Sequence, residues 1–392
     1  MKKFLLVLVI AAIALSGLVV ITGCNDTDED FKVGVIHINP TSSTSGYTYA
    51  HEQGILYMQR ELGLKDSQII RKDSVDDTNA AAINTAIDEL VAEGANIIFG
   101  TSFGYGEPMR DKAAEYPDVI FSHGTGGYSN ATNLNNYFGR IYQARYLSGL
   151  VAGMKAEQGG KIGYVAAHGN YIAELSSGIN AFALGAQAVN PTVTVEVMTM
   201  GSWYDPVLEG DHARALIDNG ATVIAQHCDT EQPALAAKNA NVFAIGYNSD
   251  MSKTEAGNSV LTSVVWNWGV YYKVATQAAM DGKWEEFDRE YFGDFSDGLF
   301  DLAPFSSEVD SDTKAIVNLV KAKFNDANDS WDVFSGKVLS FDKDDDGNWT
   351  VAETVSALKK ADGTNVGTVT DLNIKADMPY WIQGVSDTTP QN

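Results

Sequence analysis

Short apolar runs alternate with amphipathic stretches through most of the chain. Eight runs read as strands: Val33–His37, Ile69–Ser74, Asn96–Gly100, Val119–His123, Lys161–Ala167, Thr192–Met198, Thr222–Cys228 and Asn241–Tyr247. The segments between them predict helices over about Ala50–Leu62, Thr78–Glu93, Glu107–Glu115, Ala144–Glu157, Leu175–Val189, Asp211–Asn219 and Gln232–Ala240. In the second of these, Ala82, Ile83, Ala86, Ile87 and Leu90 recur at helical spacing. Gly63, Gly94, Gly159 and Gly220 stand where a left-handed cap ends a helix. Strand–helix–strand repetition means parallel sheets covered on both faces, an α/β fold.

The units fall into two sets, four before residue 140 and four between 161 and 247. Each set makes one doubly wound lobe. Leu134–Tyr142 reads as the first crossing between lobes and Ser259–Trp268 as a return, followed by a helix over Gly269–Asp281. The expected division is residues 31–139 with about 267–285 in one lobe, and 140–266 with about 286–392 in the other. The tail holds a helix near Asp312–Asn325 and a hairpin near Val338–Val351. Several crossings make a hinge, and a hinge between two lobes makes a cleft. Ligands of such sheets sit outside the carboxyl ends of the strands.

The first residues follow a different pattern. Lys2 and Lys3 precede an apolar run from Phe4 to Thr22, closed by Ile21-Thr22-Gly23-Cys24. This is an export signal over residues 1–24. Its end resembles the bacterial lipobox, in which the cysteine is lipidated; an uncleaved anchor is the alternative. Either places the remainder outside the cytoplasmic membrane. Residues 25–30 are a polar, acidic tether.

Charge narrows the function. The chain carries −24, or −26 once Lys2 and Lys3 are removed. That field repels phosphate backbones and argues against nucleic-acid binding. With Cys24 lipidated, Cys228 is the other cysteine and no intrachain disulfide forms. Cys228 ends an apolar strand and reads as a small buried side chain.

The residues after the strands carry the candidate chemistry. Asn39 to His51 includes Thr44, Tyr47 and Tyr49; Thr101-Ser-Phe103-Gly-Tyr105 follows the third strand; Gly124-Thr-Gly-Gly-Tyr128 follows the fourth. In the second half come Gly201-Ser-Trp203-Tyr-Asp205, Asp229-Thr230, Asn248-Ser-Asp250 and Trp266-Asn-Trp268. Aromatic faces stack on planar ligands, and carboxylates, amides and hydroxyls bond ring edges. These loops contain no Arg or Lys, which argues against phosphate or carboxylate ligands.

Several stretches, in order, resemble the basic membrane protein family of solute-binding lipoproteins. They include Gly46-Tyr-Thr-Tyr-Ala-His51, Gly100-Thr-Ser-Phe-Gly-Tyr105, Tyr137-Phe-Gly-Arg-Ile-Tyr-Gln-Ala-Arg-Tyr-Leu-Ser-Gly149 and Gly178-Ile-Asn-Ala-Phe182. Ser202-Trp-Tyr-Asp-Pro206, Gly246-Tyr-Asn-Ser-Asp-Met251, Val264-Val-Trp-Asn-Trp268 and Trp381-Ile-Gln-Gly-Val385 complete the set. The resemblance implies a type I periplasmic-binding clamshell that delivers a purine or purine nucleoside to an ABC permease and ATPase. It implies stacking on Tyr47 and Trp203, and polar contacts from Asp229 and Thr230. The candidate binding set is Thr44, Tyr47, Phe103, Tyr105, Trp203, Asp205, Asp229, Thr230, Asn248, Asp250, Trp266 and Trp268. Three departures matter. Thr44 and Asn248 replace acids of the family, and Trp266-Asn267-Trp268 replaces a segment with a Lys in nucleoside receptors. Losing those grips on a ribose diol favours a free base such as adenine over adenosine. No cofactor is expected, and the chain is expected to be a monomer. A ligand sensor docking on a membrane receptor is the alternative.

Two further patterns point elsewhere. Gly100-Thr-Ser102-Phe-Gly104 matches the hydrolase elbow, after a strand and before a helix. His123, His168, His212 and His227 all lie before the final 165 residues, where that fold keeps its histidine, so a serine hydrolase is a remote alternative. Asp342, Asp344, Asp346 and Glu353 match a calcium loop. The flanks look like strands rather than helices, and the Asp346-Gly347 pair is itself a hairpin signal.

Overall fold

The computed structural model describes residues 31–390. The export signal, Cys24 and the tether lie outside the described residues. The first lobe is built on five parallel strands: β1 (Val33–Ile36), β2 (Ile69–Lys72), β3 (Ile97–Gly100), β4 (Ile120–Gly124) and β5 (Leu134–Gly139). The second is built on β6 (Lys161–Ala166), β7 (Thr194–Thr199), β8 (Ala221–His227), β9 (Phe243–Asn248) and β10 (Val260–Trp266). Both share one winding: each sheet's first strand lies between its second and third. All eight expected strands form. The two segments read as crossings are β5 and β10, the fifth strand of each sheet, and the chain changes lobe just beyond each.

The tail completes both sheets. β11 (Glu290–Gly293) pairs parallel with β5, so the return to the first lobe runs past residue 285. β12 (Phe300–Leu302) pairs antiparallel with β10. The hairpin of β13 (Lys337–Lys343) and β14 (Trp349–Val355) stands apart, and β15 (Val385–Asp387) adds to the free edge of β7. The crossings after β5, after β10 and between β11 and β12 make a three-stranded hinge.

Helices cover the sheets: α1 (Gly46–Leu62), α2 (Ala80–Ala92), α3 (Gly106–Glu115), α4 (Tyr142–Lys155), α5 (Ala173–Val189), α6 (Pro206–Asp218), α7 (Gln232–Asn239), α8 (Gly269–Met280), α9 (Ser311–Asn325) and α10 (Asp371–Ala376). Among the described residues, none is long and apolar enough to cross a membrane. α4 and α5 pack backbone to backbone. A Cβ at Gly149 or Gly185 would collide with the carbonyl of Phe182 or Tyr146. The absence of side chains there lets the two helix backbones approach closely.

The hinge is an aromatic stack. Trp266 and Trp268 lie 4.0 Å apart and nearly parallel, and Trp268 stacks at 4.5 Å on His51 of α1. His51 meets the Tyr272 hydroxyl at 2.6 Å, and Trp266 Nε1 donates to the Tyr247 hydroxyl at 3.2 Å. One continuous core therefore runs from the first lobe through the hinge into the second.

The Asp342–Glu353 segment closes as a tight turn. Asp344 Oδ1 accepts from the backbone of Asp346 and Asn348 at 3.0 and 2.8 Å. Glu353 pairs across the ladder with Leu339 and is engaged by Lys323 and Lys337 at 2.7 and 2.8 Å. The four carboxylates do not converge, and no acidic cluster among the described residues is arranged to hold a metal.

Candidate functional site

The carboxyl ends of both sheets face each other across the hinge, and a small cavity lies between them. The first lobe contributes Ile38 from the loop after β1, Tyr47 from the first turn of α1, Ser102 and Phe103 after β3, and Thr125 after β4. The second contributes Glu174 from the first turn of α5, Trp203 after β7, His227 and Asp229 at the end of β8, and Tyr247 from β9. No Lys or Arg lines it. A wider opening with Asp76, Asp77, His168 and Tyr204 on its wall shares Ile38, Phe103 and Trp203 with this cavity.

The lobes touch at Gly46. Its φ of 83° is one that L side chains resist, and a Cβ there would run into the main-chain oxygen of Asp229. Gly46 N–H also donates to Ser249 Oγ at 3.3 Å. The amino end of α1 therefore rests on the second lobe, and Tyr47 enters the cavity from that contact.

Each wall residue has a reason for its pose. The Tyr47 hydroxyl donates to the Thr101 carbonyl, and its ring lies edge-on to His51 at 4.3 Å. Burial, with Tyr137 and Glu174 nearby, pushes its phenol up, so it stays protonated. Trp203 meets the His168 ring edge-on at 4.8 Å. Phe103 is 59% exposed and unpacked on its cleft side. His227 Nε2 lies 3.0 Å from Glu174 Oε1. Burial, then the nearby Arg145 charge, lowers the imidazole to about 4. At neutral pH this contact is thus a hydrogen bond from a neutral ring rather than an ion pair. Tyr247 is held from behind, where the fully buried Arg145 guanidinium sits 3.7 Å from its ring centroid. Asp229 receives one bond, from Asn248 Nδ2 at 3.4 Å. Burial, then the Glu209 and Glu174 charges, pushes its carboxyl well above the usual range.

Of the residues expected from sequence, Tyr47, Phe103, Trp203 and Asp229 line the cavity. Asn248 stands behind Asp229 in a left-handed conformation with φ 67°. The others are occupied elsewhere. Thr44 is exposed on its loop. The Tyr105 hydroxyl is buried against the Val75 carbonyl at 2.7 Å. Asp205 caps α6 through the N–H groups of Val207 and Leu208. Thr230 is bound by Glu209 through its N–H and hydroxyl. Asp250 caps the turn at Ser252. Trp266 and Trp268 fill the hinge behind the cavity. Sequence reasoning missed Ile38, Thr125, Glu174, His227 and Tyr247. Glu174 had a signal, an acid in the first turn of a helix that follows a strand, on the side where ligands of such sheets bind.

Ser102 does not form a hydrolase triad. Its hydroxyl donates to Asp77 Oδ2 at 2.5 Å, while His123 Nε2 donates to its main-chain oxygen at 2.9 Å. Burial lowers His123 to about 4, and no imidazole reaches the hydroxyl to take its proton.

Known proteins share this architecture. Residues 31–328 match the family described as ABC transporter substrate-binding protein PnrA-like. A purine-binding protein of Brucella abortus is 33% identical over 94% of this chain and 97% of its own. A putative ABC transporter glucose-binding protein of Haloferax volcanii is 34% identical over 76% and 73%. Among solved structures, a transcriptional activator of the comK gene from Bacillus halodurans superimposes with a TM-score of 0.64 at 23% identity, covering 76% of this chain and all of that one. An ABC transporter solute-binding protein from Aeropyrum pernix gives 0.62 at 15% identity, covering 81% and 95%. A two-lobed sheet architecture, a cavity between the lobes at the strand ends and a family match over most of the length agree: the chain belongs to the PnrA-like ABC transporter substrate-binding proteins, extracytoplasmic and non-enzymatic carriers that bring a small ligand to a permease and its ATPase.

Proposed function

We propose that this protein captures a purine base, adenine in preference to adenosine, and is held at the outer face of the membrane by lipid on Cys24. The observation that carries the reading is the composition of the cavity wall. Tyr47, Phe103, Trp203 and Tyr247 offer flat area, Glu174, His227 and Asp229 offer polar edges, and no cation attracts an anionic ligand. Free base is preferred because the hinge is filled. Trp266 and Trp268 occupy the segment where nucleoside receptors of the family offer a Lys, and Asn248, in place of an acid, is engaged with Asp229. A ribose there has no carboxylate–lysine grip and little room.

Ligand closes the clamshell because only the closed form brings both walls to the ring, so binding shifts the hinge equilibrium. Calorimetric titration of the purified protein with adenine, adenosine and glucose tests the reading. Adenine is expected to bind most tightly. Tighter binding of adenosine overturns the ranking, and binding of glucose alone replaces the ligand class. Metabolic labelling with a radioactive fatty acid, lost in Cys24→Ser, tests the anchor; unchanged labelling argues against it.

A further inference from the structure

The polar wall of the cavity has an excess of carboxyl groups and a shortage of donors. Glu209 is fully buried next to the site and accepts three hydrogen bonds. Oε2 takes the Thr230 N–H at 3.0 Å and the Thr230 hydroxyl at 2.5 Å, and Oε1 takes the Asp205 N–H at 3.2 Å. Glu174, on the same cavity, accepts from His227 at 3.0 Å. Asp229 stands between them with a single long bond from Asn248 at 3.4 Å. The charged groups around it are Glu209 on α6, Glu174 on α5 and Asp77 from the first lobe, all acidic. Cys228 beside it is a neutral thiol, pushed up by burial and by Glu209. Tyr47 is neutral, and Arg145 lies over Tyr247, stacked on the ring rather than paired with a carboxylate. The positive end of α1 rests on the Asp229 main-chain oxygen, worth less than the burial and two acidic neighbours that oppose ionisation.

We propose that Asp229 meets the ligand as a neutral carboxylic acid and, through that proton, fixes an aminopurine by a two-point hydrogen bond. The inference rests on the purine reading. A protonated carboxyl offers one O–H donor and one carbonyl acceptor. Adenine presents the complementary pair, an exocyclic N–H beside a ring nitrogen with a free lone pair. An ionised carboxylate has acceptors alone, so one of its oxygens faces that lone pair and the two-point bond is lost. Guanine has an edge of two adjacent N–H donors, which suits the ionised form, so its affinity through that edge rises as the proton leaves. Carboxyl groups held neutral by an apolar site donate in this way elsewhere. Asn248 suits the role: its amide donates to the carbonyl oxygen of the acid and leaves the O–H free for the cavity.

The experiment uses the full chain with adenine and micromolar guanine at pH 5.5, 7 and 8.5, followed by tryptophan fluorescence, for wild type, Asp229→Ala and Asp229→Asn. Asp229→Ala is expected to lose roughly 10–100-fold in adenine affinity, the range for one or two buried hydrogen bonds. Asp229→Asn, with the same donor–acceptor pair, is expected to restore most of it and to be flat with pH. Wild-type adenine affinity is expected to fall as pH rises through the Asp229 titration, while guanine affinity rises or holds. A pH-flat wild type with adenine binding lost in Asp229→Asn overturns the proposal and leaves the purine reading intact. Carbon NMR of the Asp229 carboxyl in ligand-free protein decides the matter should neither base bind. A neutral shift at pH 6 supports the proton while the purine reading fails, and an ionised shift at pH 5 overturns the proposal.

Discussion

The two walls of the cleft differ in kind. The first lobe offers Ile38, Tyr47, Ser102, Phe103 and Thr125, with no charged group among them. Their polar atoms are largely spent, as the Tyr47 hydroxyl is on Thr101 and the Ser102 hydroxyl on Asp77. The second lobe offers Glu174, His227 and Asp229 beside Trp203 and Tyr247. One wall supplies shape and apolar area, and the other supplies the directional bonds that choose between ligands. Such a division suits a clamshell. On the proposed reading, a ligand held by the polar wall gains buried area when the apolar wall swings in, and that gain favours closure.

The comparison can be broken or sharpened at four points. The largest effect is expected where the walls share a foundation. Trp268 is fully buried in the hinge between His51 and Trp266, and Trp268→Ala should cost roughly 3–5 kcal/mol in urea-induced unfolding, the usual range for an emptied aromatic site. A loss below about 1 kcal/mol would mean that the lobes are stable independently of the stack.

The second effect is on acid stability. His123 in the first lobe and His227 in the second are both lowered by burial to about 4. The unfolded chain therefore binds their protons first. Their contribution is full above about pH 6.5 and is lost as pH falls towards 4, on the order of 2–3 kcal/mol for each ring. Unfolding free energies across that window should slope upward with pH, and His123→Gln or His227→Gln should each make the slope shallower. Equal slopes in wild type and variants would show that these rings titrate normally.

The third and fourth effects compare aromatic residues across the cleft. Trp203 is half-buried and braced by His168, so Trp203→Ala should weaken ligand binding by roughly 1–3 kcal/mol. Phe103 is 59% exposed, so Phe103→Ala should cost less than about 1 kcal/mol. The reverse order, measured by calorimetry, would place the stacking surface on the first lobe.

The architecture was legible because its signals are local and repeated. Every expected helix of the two lobes appears, with α1 and α6 starting four and five residues earlier than their apolar periodicity suggests. Those extra residues are where the amino ends meet the cleft. Gly46 depends on the opposite lobe for its packing, and Pro206 on the Asp205 cap. The candidate site was legible only in part. Composition marked the aromatic and acidic loops, but it cannot tell a side chain that faces the cavity from one spent on structure. Asp205, Thr230 and Asp250 have the same character as Asp229, yet a helix cap, Glu209 and Ser252 use them. Trp266 and Trp268 were read as stacking surfaces and do stack, but on each other and on His51. Their partner comes from α1, more than two hundred residues earlier, and no local pattern announces that.

The central claim is that a planar base sits between an apolar wall and a polar wall, with Trp203 as the stacking surface. Isothermal titration of adenine into wild type and Trp203→Ala at one pH tests it most directly. The account predicts one site per chain, with affinity at least roughly fivefold weaker in the variant and an unchanged melting temperature. Wild-type and variant protein binding adenine equally well, or no heat with adenine beside clear binding of a sugar, would contradict it.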